Sequence, residues 1–137
     1  MSMLRPLLAS LVLFTVVPSC ATKYVAPGRE PALGSDANIV VSKTKSGNYF
    51  VELALTSLPP PERLDPAATA YVAWFQPAEQ AAVKAGAVAY DVNDRDGFLE
   101  ATTPHRIFTL LVTLEATPDV GVPSKKVIVS QAVKAKK

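Results

Sequence analysis

At 137 residues the chain is long enough for one ordinary domain and too short for two. Its composition, 49% apolar and 19% charged, is globular and excludes a disordered polypeptide. A formal net charge of +2 is too small for the basic stripe that nucleic-acid binding requires.

The first segment, residues 1–19, has the layout of a secretory signal peptide. Arg5 supplies the positive start, Leu7–Val17 is an apolar run of eleven residues, and Pro18, Ser19, Cys20 and Ala21 follow. Eleven residues are too few to span a bilayer, which takes about 20, and Pro18 ends any helix. Two cleavage sites compete. "VPSC" (17–20) resembles the lipobox of bacterial lipoproteins, which implies cleavage before Cys20 and acylation, palmitate included, of its sulfur. Ser19 and Ala21 form a small-x-small site instead, and cleavage after Ala21 releases a soluble periplasmic or secreted protein. Lipidation is the reading carried forward. Cys20 is the only cysteine, so no internal disulfide exists. Ala21 stands where the inner-membrane retention signal of lipoproteins places Asp, which by that family rule implies the outer membrane, facing the periplasm.

Residues 20–36, including "ATKYVAPGREPALGSD", are rich in Gly, Pro and charge and lack periodicity, and predict a flexible tether. From residue 37 to 137 short β-favouring runs recur. "NIVVSKT" (38–44) precedes the turn signal "KSGN". In "YFVELALTS" (49–57), Tyr49, Val51, Leu53 and Leu55 share one face, the period of two of a half-buried strand. "LPPPERLDP" (58–66) cannot join a central strand and is a stiff connection. "AYVAWFQ" (70–76) is a strand, and "PAEQAAVKAG" (77–86) is either a short helix or an irregular loop. "AVAYDV" (87–92) and "FLEATT" (98–103) flank "NDRDG" as a hairpin. "IFTLLVTLEAT" (107–117) alternates clearly, and "KVIVSQAV" (126–133) closes the set. About seven short strands predict an all-β, immunoglobulin-like antiparallel sandwich.

"AYVAWF" (70–75), "AGAVAYD" (85–91) and "LLVTLEATPDVGVPSKKVIVS" (110–130) resemble the C-terminal extracytoplasmic domain of anti-sigma-K factors. Tyr71 and Trp74 match its Tyr-x-x-Trp strand; Thr113, Glu115, Pro123 and Ser124 match its late strand pair. The likeness covers residues 38–133 and implies a β-sandwich. It does not imply sigma-factor control, which in that family belongs to a cytoplasmic domain.

Candidate chemistry is sparse. "DVNDRDGFLE" (91–100) fails the EF-hand spacing: with Gly97 at position 6, position 1 is Val92 and position 12 is Thr103. A looser site of Asp91, Asn93, Asp94 and Asp96 includes Arg95, and a hairpin turn is the simpler account. His105, the only histidine, reads as a loop residue without catalytic partners. Trp74 is expected in the core; if it faces in with Val72, then Tyr71 and Phe75 face out as a candidate contact surface, unless neighbouring segments cover them. The basic tail Lys134–Lys137 holds three lysines, a weak membrane anchor, and reads as a solvated end. No metal or other cofactor is expected. These features predict a non-enzymatic envelope lipoprotein, held at the membrane by its N-terminal lipid and binding or scaffolding an envelope protein. The alternatives are a sensor module acting through a membrane partner and an envelope enzyme with a cryptic site.

Overall fold

A computed structural model of the chain describes residues 21–137. The expected signal segment and Cys20 lie outside the described residues. In chain order the elements are β1 (Thr22–Pro27), β2 (Asp36–Lys43), β3 (Tyr49–Thr56), α1 (Pro61–Leu64), β4 (Ala70–Pro77), β5 (Val83–Ala87), β6 (Ala89–Asp91), β7 (Asp96–Thr103), β8 (Ile107–Glu115) and β9 (Val127–Lys134). One sheet runs β1-β2-β3-β7-β6 and the other β5-β4-β8-β9, all pairs antiparallel. The order β2-β3-β7-β6 against β5-β4-β8-β9 is that of an immunoglobulin-type sandwich, with β1 added outside β2.

The alternation read in the sequence sets the faces. Ile39, Leu53 and Leu99 form one cross-strand row, Val41, Val51 and Ala101 the next, and all point inward. From the opposite sheet Tyr71, Ala73 and Phe75 of β4 meet Phe108, Leu110, Val112 and Leu114 of β8. The Phe75 and Phe108 rings pack edge to face, with centroids 5.1 Å apart. The proline segment crosses between the sheets, as its missing backbone donors require. Leu58 is fully buried beneath it, and α1 is a single turn started by Pro61.

Two expectations are corrected. Residues 21–36 are not a flexible tether. Thr22–Pro27 pair with Asp36–Val41 as β1, and residues 28–35 make a tight connection. An edge strand needs few apolar side chains, so β1 shows little of the patterning that marks a central strand: only Ala26 is buried, with Thr22 and Tyr24 half-buried on the same face. Gly28, the first of the connection's two glycines, is there for fit rather than slack. Gly28 N–H donates to Ser35 O at 2.7 Å, and a Cβ at Gly28 would lie 2.3 Å from Ala32 O. Second, residues 77–86, which read as either a short helix or an irregular loop, are a turn followed by the start of a strand. Gln80 N–H donates to Pro77 O in a turn, and Val83–Ala87 then returns along β4 as β5. The short β1 and β5 bring the total to nine strands, where about seven were expected.

The two sheets are laced together at one side. The Tyr24 hydroxyl of β1 accepts from Lys134 N–H at 2.9 Å and donates to Lys134 O at 3.1 Å, and Lys136 N–H donates to Thr22 Oγ1. These bonds occupy part of the free edge of β9. They also bring the first described strand against the last.

Candidate functional site

Strand β4 is buried on both faces, without a break from Tyr71 to Phe75. The expected orientation of its aromatics is therefore reversed. Tyr71 and Phe75 are 1% and 4% exposed and point between the sheets. They form no contact surface. Val72 and Trp74 point to the outer face, where Trp74 pairs across the ladder with Leu111 and Val72 with Thr113. Alternation fixed the relative parity of these residues correctly but not its sign. Both faces of β4 are covered, so side-chain identity alone could not tell inside from outside.

The outer cover is residues 116–126, and a hydrogen-bonded chain ties them down. The Trp74 indole N–H donates to Thr113 Oγ1 at 2.9 Å. The Thr113 hydroxyl donates to Glu115 Oε2 at 2.5 Å, in preference to Val72 O at 3.4 Å. The same Oε2 accepts the Ser124 backbone N–H at 2.9 Å, and the Ser124 hydroxyl donates to Leu114 O at 2.7 Å. Alternate residues of β8, Thr113 and Glu115, put both groups on the outer face beside Trp74. Lys84, opposite Trp74 on β5, reaches the Pro118 carbonyl, and Thr69 Oγ1 donates to Ala116 O at 2.6 Å. Among the described residues no buried side-chain donor or acceptor is left without a partner. The chain is thus a fully satisfied clamp: it holds a loop, and its carboxylate is already engaged. Beside it a hollow of about 210 Å³ runs between Ala68, Glu115 and Ser124, bounded by the Lys126–Asp65 ion pair.

A second polar device holds the proline crossing. Pro59, Pro60 and Pro61 have no N–H, but their carbonyls still need donors. The Tyr71 hydroxyl donates to Pro59 O at 2.5 Å and the Tyr90 hydroxyl to Leu58 O at 2.6 Å, with the two rings edge to face 5.7 Å apart. Burial, and then the neighbouring Tyr90 phenol, push the Tyr71 hydroxyl far above its ordinary range, so it stays a donor at any physiological pH. Burial also raises Tyr90.

An open groove of about 440 Å³ lies beside β4, β8 and β9. Its walls include Tyr24, Pro77, Ile107, Thr109 and Lys134. Ile107 is 49% exposed there. The volume suits a small molecule or a few residues of peptide, and the mainly apolar lining includes Glu79 and Lys134. The candidate acidic residues serve the β6–β7 hairpin: Asp91 Oδ1 accepts from the backbone N–H of Asn93 at 2.8 Å and of Asp94 at 3.3 Å. Among the described residues no group of three or more His, Cys, Asp and Glu is placed to hold a metal ion. His105 is half-buried in the β7–β8 turn, its backbone N–H donating to Thr103 Oγ1 at 3.3 Å.

No family model, no curated protein and no solved structure matches this chain. Among the described residues no helix is long and apolar enough to cross a membrane.

Proposed function

We propose that this protein is a non-enzymatic binding or scaffolding module of the bacterial cell envelope, a β-sandwich held at a membrane by a lipid on Cys20. The observation that carries this reading is where the fold starts. β1 begins at Thr22, two residues after the lone cysteine and five after the apolar run 7–17. An acylated Cys20 would make β1 itself the connection between lipid and domain. Burying each methylene of an acyl chain stabilises the membrane-bound form by about 0.8 kcal/mol, and a second signal makes anchoring stable. Intact-mass measurement of the mature protein from cells is expected to give a chain starting at Cys20 with added acyl mass. Palmitate labelling is expected to vanish in Cys20→Ala. A mature chain starting at Thr22, without acyl mass, would refute the tether and leave a soluble exported module.

A second reading is an extracytoplasmic sensor module acting through a membrane partner. It is favoured by one observation: Trp74, Thr113, Glu115 and Ser124, which carry the likeness to the anti-sigma-K extracytoplasmic domain, meet in a single hydrogen-bonded chain. Crosslinking in cells that recovers a membrane-spanning signalling protein would support it. Recovery of periplasmic or cell-wall components alone would count against it.

A further inference from the structure

The fold sorts charge by end. Lys43 and Lys45 flank the β2–β3 turn, and Lys23 lies on β1, whose first residue pairs with Val41. Tyr49 pairs with both Lys43 and Thr103, so the β7–β8 turn with Arg106 lies at the same end. Ile107 pairs with Lys134, and Ala135 N–H donates to Arg106 O at 2.9 Å, which brings Lys134, Lys136 and Lys137 there too. Seven cations lie at or beside this end, against the carboxylate of Glu79 in the turn after β4 and those of Glu52 and Glu100, which share the cross-strand row of Lys23. The lysines are exposed, and Arg106 is half-buried with its guanidinium on Ala135 O. The one ion pair among the described residues, Lys126–Asp65, lies at the other end. That end is mixed: Glu30, Glu62, Asp91, Asp94 and Asp96 alternate with Arg29, Arg63 and Arg95.

We infer that the basic end is a docking surface for an anionic phospholipid bilayer. Charge complementarity and position argue for that occupant. The chain enters the fold at Thr22, at this end and beside Lys136, whose N–H donates to Thr22 Oγ1, and the apolar run 7–17 and Cys20 precede it. Two extended residues span at most about 7 Å. The screening length in physiological salt is about 8 Å. A Cys20 held at a bilayer therefore keeps this end within electrostatic reach of the headgroups. The three C-terminal lysines alone make a weak anchor, but they share this end with Lys23, Lys43, Lys45 and Arg106. A single acyl chain holds a protein only marginally, and a polybasic patch is one of the second signals that makes the hold stable. The inference rests on the membrane-tethered reading for its biological setting, but not for its test.

The test uses residues 21–137, which contain the whole sandwich and its core and carry no acyl site, so it reads the basic end whether or not Cys20 is lipidated. Cosedimentation is measured with vesicles of phosphatidylcholine alone and of phosphatidylcholine mixed with phosphatidylglycerol. Binding is expected only to the mixed vesicles and to fall steeply as salt is raised. Each basic residue near such a surface strengthens partitioning by about fivefold, so joint Lys134→Gln, Lys136→Gln and Lys137→Gln substitutions are expected to weaken it by about a hundredfold. Lys43→Gln with Lys45→Gln is expected to act likewise, and Arg63→Gln with Lys125→Gln, at the far end, to change nothing. Equal binding to neutral vesicles would overturn the inference. So would indifference to the basic-end substitutions, or tighter binding to a DNA duplex than to the mixed vesicles at the same salt.

Discussion

The Tyr71 hydroxyl shows how one polar atom constrains a core. It is buried, it faces the sandwich interior, and it supplies a donor to a proline run that has none of its own. Tyr71→Phe leaves Pro59 O without that donor, and urea unfolding is expected to show a loss of about 1–3 kcal/mol. The raised hydroxyl also sets a pH dependence. In the unfolded chain Tyr71 loses its proton near its ordinary value of 10.0, while the folded protein holds that proton to higher pH. Above pH 10 the unfolded state thus binds fewer protons than the native one, so stability falls as pH rises. Unfolding free energies from pH 8 to 11 are expected to drop for the native protein and to drop less for Tyr71→Phe. Glu115 is the other decisive residue. In Glu115→Ala the Thr113 hydroxyl and the Ser124 N–H lose their shared acceptor, an expected cost of about 2–4 kcal/mol. Trp74, the only tryptophan, is a built-in fluorescence reporter of that loss.

At the level of elements, the 116–126 loop is held by side chains rather than by a ladder. In Glu115→Ala, amide hydrogen exchange is expected to speed up at Ser124 and its loop neighbours while β3 and β7 stay protected. The outer face of the five-stranded sheet carries an opposite defect. Glu52 of β3 lies directly across from Glu100 of β7, and like charges so placed repel. Glu100→Lys turns that contact into an attraction and is expected to raise stability by about 0.5–1 kcal/mol at low salt, an increment that high salt removes. Glu100 is exposed, so the swap leaves the core in place, and thermal melts at two ionic strengths decide it.

At the scale of the whole molecule, β1 decides closure. It caps β2 with a full ladder and reaches across to β9 through Tyr24 and Thr22. A flexible tether could be deleted without effect. Removal of residues 22–27 is instead expected to cost several kcal/mol and to promote association through the exposed edges of β2 and β9. Gly28→Ala, which drives a Cβ against the Ala32 carbonyl, is expected to mimic a large part of that loss. The β1–β9 contact also sets Lys23 and Lys136 beside the cations that the β2–β3, β3–β7 and β8–β9 ladders bring to that end.

Local pattern determined much of this. Period-two runs placed seven strands, turn chemistry placed the β6–β7 hairpin, and the consecutive prolines marked the crossing between sheets, because backbone sterics and side-chain alternation act over a few residues. Other features depended on partners distant in the chain. β1 reads as linker because an edge strand borrows its stability from β2 and β9. Tyr71, Phe75 and Trp74 could not be assigned to a side, because a strand covered on both faces has no polar side to give it away. The Trp74–Thr113–Glu115–Ser124 chain joins residues up to 50 positions apart. A net charge of +2 concealed a cationic end, because a sum over the sequence carries no positions and only the folded ladders supply them.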